Sequence, residues 1–155
     1  MRFKFRKILC AVDFSDTSDY ALQYATSLAE ALDAHLEVLH VMDMPYVPSS
    51  SVAVAEDIGK LTEHIKKECE GRLNALVEKY CEKRSLVRCR VVTGTAFLEI
   101  IRAAKDGKAD LVVVGTRGRS GLKYIFLGSV AEKVVRKAPC PVLAVKNPHQ
   151  RDDSE

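Results

Sequence analysis

Short apolar runs alternate with segments of helical periodicity along this 155-residue chain, and this alternation constrains its fold more than any other feature. The run at 111–114 is an unbroken Leu-Val-Val-Val, which is typical of a strand buried on both faces of a parallel sheet. Such runs predict five strands, at 7–12, 35–42, 86–92, 111–114 and 142–145. Strands separated by helices predict a single α/β domain, in which an open parallel sheet carries helices on both faces.

The helical segments differ in how clearly they are marked. Residues 15–19 supply cap candidates and first-turn acids for a first helix. Apolar residues then recur every three or four positions from about 54 to 83, which predicts one long amphipathic helix with its apolar stripe in the core. The segment 43–53, with two prolines and three consecutive serines, is predicted to be an irregular loop. Arg88 and Arg90 alternate with apolar residues in the third strand, which predicts a position at the sheet edge.

Length and composition favour one ordinary globular domain over 1–147, followed by a polar tail at 148–155 that we expect to be disordered. Hydrophobic residues make up 47% and charged residues 29%, which excludes a disordered chain. No apolar run approaches the length of a membrane span, and the basic first residues lead straight into a strand. We therefore expect a cytoplasmic protein with no membrane partner.

Charge, aromatic content and cysteines exclude further classes. A net charge of +3 and 6% aromatic residues are too low to indicate a nucleic-acid partner. The five cysteines include no C-x-x-C pair, so free thiols are expected rather than a disulfide framework or a zinc site. The four histidines are scattered singly, and no role is predicted for any of them.

The segment 115–129 joins the fourth strand to the last helix through glycines spaced G-x2-G-x9-G-S, with three cations among them: Arg117, Arg119 and Lys123. Glycine lets the backbone approach an anion, and a helix N-terminus favours bound phosphate. Ser129 and Glu132 have the spacing of a capping box, so the helix is predicted to be capped by Ser129. The spacing excludes both the dinucleotide fingerprint and the P-loop. It predicts an anion-binding loop, with turn glycines and solvated charges as the alternative.

Asp13 follows the first strand, and ligands of open parallel sheets bind beyond the carboxyl ends of the strands. If the first and fourth strands are neighbours, this carboxylate faces the glycine segment. The pair then offers an acid for a ribose hydroxyl or a metal ion, together with amides for phosphates. Taken alone, Asp13 would be interpreted as an acid at a helix N-terminus.

Four segments resemble the universal stress protein family: 7–15 (KILCAVDFS), the strand end at Val41, 91–94 (VVTG) and 115–145. The glycine spacing is similar to the motif of that family's ATP-binding branch, and the resemblance covers nearly the whole chain. It implies a Rossmann-like sheet of the adenine nucleotide alpha-hydrolase type, with strand order 3-2-1-4-5. It also implies a homodimer formed through the last strand, 142–145.

The resemblance further implies a ligand and its contacts. The ligand would be ATP, or ADP or AMP, with Mg²⁺ or Mn²⁺ held beside it by Asp13. Adenine would lie near the main chain of Val41 and the phosphates over 115–121 and 128–131. The implied binding residues are Ala11, Asp13, Val41, Gly115, Thr116, Arg117, Gly118, Arg119, Ser120, Gly121, Gly128, Ser129, Val130 and Ala131. Ala11 stands where many members of the family carry proline.

These features favour an ATP-binding regulatory module of the stress response, acting on a protein partner that the sequence does not identify. Two alternatives stay open: a slow ATPase or phosphotransfer enzyme, and a structural dimer with no physiological nucleotide. The chain has no G-x-S-x-G nucleophile elbow, and no histidine follows the glycine segment until His149. No catalytic residue is therefore assigned.

Overall fold

The computed structural model describes residues 3–43, 52–118 and 127–149. Its elements in chain order are β1 (Lys7–Ala11), α1 (Asp16–Leu32), β2 (His35–Met42), α2 (Val52–Tyr80), a 3₁₀ turn (Arg84–Leu86), β3 (Val87–Thr93), α3 (Ala96–Asp106), β4 (Leu111–Gly115), α4 (Ser129–Lys137) and β5 (Val142–Val145). No helix in these ranges is both long and apolar enough to span a membrane. Most of the predicted 43–53 loop and of the tail lies outside the described residues.

The five strands form one parallel sheet in the order β3-β2-β1-β4-β5. The predicted fold class and strand order are both confirmed. Ile8 of β1 pairs with Leu36 of β2 on one side and with Leu111 of β4 on the other. The chain therefore winds outward in both directions from the β1–β4 pair, and a crevice opens beyond the carboxyl ends of these two strands.

The sheet buries a separate apolar core on each face because successive strand residues point to opposite sides. Cys10 and Val38 face the core that Leu22 of α1 and Leu73 of α2 complete. The other core is completed by α3 and α4, and its fully or almost fully buried members include Leu9, Leu39, Ile100, Val112 and Val134. The predicted helices on both faces are thus present.

Only the second half of the apolar stripe predicted for α2 lies in the core. Cys69 and Leu73 are buried, but Leu61 is 54% exposed and Ile65 is 36% exposed. The helix has 29 residues and is roughly 44 Å long. The seven-residue strand β3 spans only about 23 Å. The sheet is too short to cover the whole helix, so its first half extends past the core.

Strand β3 lies at one edge of the sheet, as its alternating arginines predict. Arg88 is exposed, while the Arg90 Nε lies 2.9 Å from Oε1 of Glu37 on the neighbouring strand. Strand β5 forms the opposite edge and pairs only with β4 among the described strands. All five cysteines are free thiols, as expected.

Candidate functional site

A cleft of about 240 Å³ lies at the carboxyl ends of β1, β2 and β4, where the first turn of α4 also begins. Every implied binding residue that the structure describes lines it: Ala11, Asp13, Val41, Gly115, Thr116, Arg117, Gly118, Gly128, Ser129, Val130 and Ala131. The remaining three, Arg119, Ser120 and Gly121, lie outside the described residues. The fold therefore brings together three separate parts of the sequence at one place.

Two backbone hydrogen bonds fix the wall of the cleft that follows β4. The amide of Gly128 donates to the carbonyl of Thr116 over 2.7 Å, which ties the start of the glycine segment directly to the start of α4. The amide of Thr116 donates to the carbonyl of Val145 over 2.9 Å. The Thr116 amide is therefore already bonded to β5, and an anion in the cleft would need hydrogen bonds from other donors.

Helix α4 begins differently from the predicted capping box. Gly128 occupies the cap position, Ser129 is already helical, and the amide of Glu132 donates to the Gly128 carbonyl over 2.9 Å. The prediction that Ser129 is the cap is wrong. Glycine is an acceptable cap residue because it adopts the extended cap conformation easily, but it has no side chain to accept a hydrogen bond.

Because Gly128 has no side chain to cap α4, the first amides of this helix lack a capping acceptor. The amides of the first three helical residues, 129–131, have no acceptor within the helix. They lie at the positive end of the α4 dipole and line the cleft. This geometry suits an anion such as a phosphate group.

Helix α1 starts at the same edge of the sheet, but unlike α4 it is capped by a side chain. Ser15 stands at the cap, and its side chain accepts from the amide of Ser18 over 3.2 Å. The predicted caps of α1 are confirmed. Ser15 also donates to Asp13 Oδ1, from its amide over 3.0 Å and from its hydroxyl. One oxygen of the Asp13 carboxylate is thus held by the turn that leads into α1.

The other oxygen of Asp13 lies against the glycine segment. A Cβ built on Gly118 would stand 2.8 Å from Asp13 Oδ2, so the backbone of Gly118 approaches the carboxylate as closely as glycine allows. β1 ends at Ala11, two residues before Asp13, and the amide of Val12 between them donates to the carbonyl of Leu39 in β2 over 2.9 Å. The predicted juxtaposition of Asp13 with the glycines is present.

Gly115 lies close to helix α1 rather than to Asp13. A Cβ there would stand 2.9 Å from Cγ2 of Thr17 and 3.2 Å from the Thr17 backbone. Thr17 is fully buried in the first turn of α1. Gly115 therefore allows β4 to pack closely on α1, whereas Gly118 shapes the cleft.

The cleft also includes residues for which the sequence predicts no part in ligand binding, among them Ser18, His40 and Asp43. The His40 ring is 2% exposed, and its Nδ1–H donates to the carbonyl of Val12 over 2.7 Å. His40 lies on the same face of β2 as the buried Val38 and Met42, and this two-residue spacing was the available signal that it points inward.

Carboxylates surround the start of α1. Burial raises the pKa of Asp19, and the nearby Asp16 and Asp13 raise it further, while Lys79 and Arg72 lower it. No group of three or more His, Cys, Asp or Glu residues is arranged to hold a metal ion within the described ranges. A divalent cation at Asp13 would have to share its coordination with ligand oxygens, which is the usual situation of Mg²⁺ bound with phosphates.

Comparison with known proteins agrees with this arrangement. The model of the universal stress protein family matches residues 4–146. The chain belongs to the universal stress protein family. Its relatives include universal stress protein YxiE of Bacillus subtilis, which is 40% identical over 147 residues, covering 92% of this chain and 99% of the relative.

Solved structures of the family have the same fold. The structure of MJ0577, a protein of Methanocaldococcus jannaschii, superposes with a TM-score of 0.78 at 29% identity, covering 92% of this chain and 96% of the other. A universal stress protein crystallised in complex with cAMP superposes with a TM-score of 0.60 at 25% identity, covering 92% of this chain and 97% of the other. A member of this family therefore binds an adenine nucleotide.

Proposed function

We propose that this universal stress protein binds an adenine nucleotide in the cleft and acts as a nucleotide-dependent regulatory module of the stress response. The observation that carries the proposal is the approach of the α4 N-terminus and the Asp13 carboxylate to the backbone of Gly118. Amides for phosphates and an acid for ribose or a cation then face one cavity. The family member that binds cAMP supports the class of ligand.

Each part of the cleft suits one part of the nucleotide. The amides of 129–131 and the side chain of Arg117 would hold phosphates, since they offer donors and positive charge at one wall. Asp13 would contact a ribose hydroxyl, or Mg²⁺ or Mn²⁺ bound with the phosphates. The main chain around Val41, together with Ala11, would hold adenine. ATP is the ligand we favour, with ADP and AMP as the other candidates.

The ligand can be identified directly. Protein purified gently from its own cells should release an adenine nucleotide on denaturation, which mass spectrometry would detect. Calorimetric titration of the stripped protein with ATP, ADP and AMP would then rank the three ligands. Failure of all three to bind would refute the proposal and favour a structural dimer with no physiological nucleotide.

We also propose a homodimer through β5. This four-residue strand is apolar, three of its residues are only half-buried, and it lies at the sheet edge, where unpaired backbone groups invite a second strand. A twofold axis would pair β5 with β5 of another copy. Light scattering after size exclusion should show a dimer for the wild type and a shift toward monomer for Leu143→Lys. A wild-type monomer across micromolar concentrations would contradict this interface.

A further inference from the structure

Phe14 has a backbone conformation that is unusual for its side chain. Its φ is +63°, in the left-handed region that bulky residues rarely adopt. Such conformations persist only where the surroundings hold them, and they concentrate at functional sites. Phe14 follows Asp13 directly, so this turn determines where the Asp13 carboxylate lies.

Two side chains hold the Phe14 ring. The His40 ring lies 4.3 Å from it between centroids, tilted by 39°, and Arg72 Cζ lies 4.0 Å from its centroid. His40 is itself anchored, because it is buried and its Nδ1–H donates to Val12. We call this group the Arg72–Phe14–His40 stack. It joins three separate elements, since Arg72 belongs to α2, His40 belongs to β2 and Phe14 lies in the turn before α1.

The stack contacts the chain around Asp13, and of its three residues His40 lines the cleft while Phe14 does not. Val12 and Phe14 flank Asp13, and both contact His40. The Asp13 amide donates to Ser18 Oγ over 3.2 Å, and Asp13 Oδ1 accepts from Ser15. Residues at the start of α1 therefore hold this turn as well. Arg72 does not line the cleft.

We propose that Phe14, held by His40 and Arg72, is the positioning residue that keeps the Asp13 carboxylate beside Gly118. Nucleotide affinity then depends on a residue of α2 that never touches the nucleotide. This inference rests on the proposed nucleotide binding. It adds that helix α2 regulates nucleotide affinity through the contact of Arg72 with Phe14. By linkage, a bound nucleotide stabilises the stack as much as the stack stabilises binding.

Calorimetric titration with ATP and Mg²⁺ tests the stack. Phe14→Ala should weaken binding by at least about tenfold, while Phe14→Tyr, which keeps the ring, should stay within about twofold of the wild type. Arg72→Gln should weaken binding by about two- to fivefold, the loss expected for a cation–π contact at an exposed site. Lys67→Gln removes the same charge from an exposed position of α2 and should have no effect.

A second readout needs no nucleotide. In ¹⁵N-resolved spectra of the ligand-free protein, Arg72→Gln should move the amide resonances of Ser15 and Gly118, and Lys67→Gln should leave both in place. A wild type that binds none of ATP, ADP and AMP would refute the proposed function, while these spectra would still decide the positioning role. Unmoved resonances in Arg72→Gln, or wild-type affinity in a folded Phe14→Ala, would overturn the inference.

Discussion

Gly118→Ala is the substitution that most sharply separates the cleft from the fold. The new methyl group would stand 2.8 Å from Asp13 Oδ2, whereas ordinary contact begins at about 3.4 Å. The carboxylate must therefore move by about 0.6 Å, which costs less than a backbone shift because Oδ2 lies at the far end of a side chain. We expect an unfolding free energy within about 0.5 kcal/mol of the wild type.

Gly115→Ala is the matched control, three residues earlier in the chain. Its methyl group would meet buried Thr17 at 2.9 Å and the Thr17 backbone at 3.2 Å, and the backbone cannot rotate away. Overpacking of this kind costs about 1–3 kcal/mol of stability. The two variants should thus differ clearly in denaturant unfolding.

ATP binding should show a large loss at Gly118. A methyl group there displaces Asp13 and occupies the space beside the backbone that a phosphate must approach, so we expect at least a tenfold loss of affinity, about 1.4 kcal/mol. Isothermal titration calorimetry measures the affinity, and urea unfolding followed by circular dichroism measures the stability. Wild-type affinity in Gly118→Ala, or a stability loss equal to that of Gly115→Ala, would refute this division between the two glycines.

Three further predictions concern titration and turnover. Burial raises the pKa of Cys81 to about 11, so iodoacetamide at pH 8 should modify it about a hundredfold more slowly in the native than in the denatured protein, as read by peptide mass spectrometry. Because the pKa of Asp19 is raised in the fold, mainly by burial, its stabilising contribution is complete below the unfolded pKa and is lost as pH rises through the folded one. Asp19→Asn should therefore raise the melting temperature at pH 7, and the gain should vanish in acid; an equal gain at both pH values would exclude this cause. Single-turnover hydrolysis of ATP with Mg²⁺ should be far slower than the enzyme median of roughly 10 per second, and a rate near that value, abolished by Asp13→Ala, would instead identify an enzyme.

The sheet was predictable because parallel strands buried on both faces read as continuous apolar runs. The predicted bounds of the strands at 35–42 and 142–145 match β2 and β5. The alternating arginines also predicted the edge position of β3. Periodicity could not predict that the first half of α2 is exposed, because it identifies the apolar face of a helix but not the length of the surface that covers it.

The site was predictable where it depends on local residues. Spaced glycines, a cation and a helix start are all visible between 115 and 129. The cap was mistaken because the Ser129–Glu132 spacing fits a capping box shifted by one residue from the true start. The hydrogen bond from Thr116 to Val145 and the contact of Phe14 with Arg72 join distant parts of the chain, and no local pattern reports them.

Helices α1 and α4 both start at the carboxyl edge of the sheet, and they differ in how their first turns are capped. At α1, the Ser15 side chain accepts from the amide of Ser18, and Asp13, Asp16 and Asp19 make that side negative. At α4, Gly128 leaves the amides of 129–131 without an intrahelical acceptor. An anion is therefore attracted to α4 and repelled by the start of α1. In the function we propose, this asymmetry orients the nucleotide, because a phosphate can approach Asp13 only with a divalent cation between them.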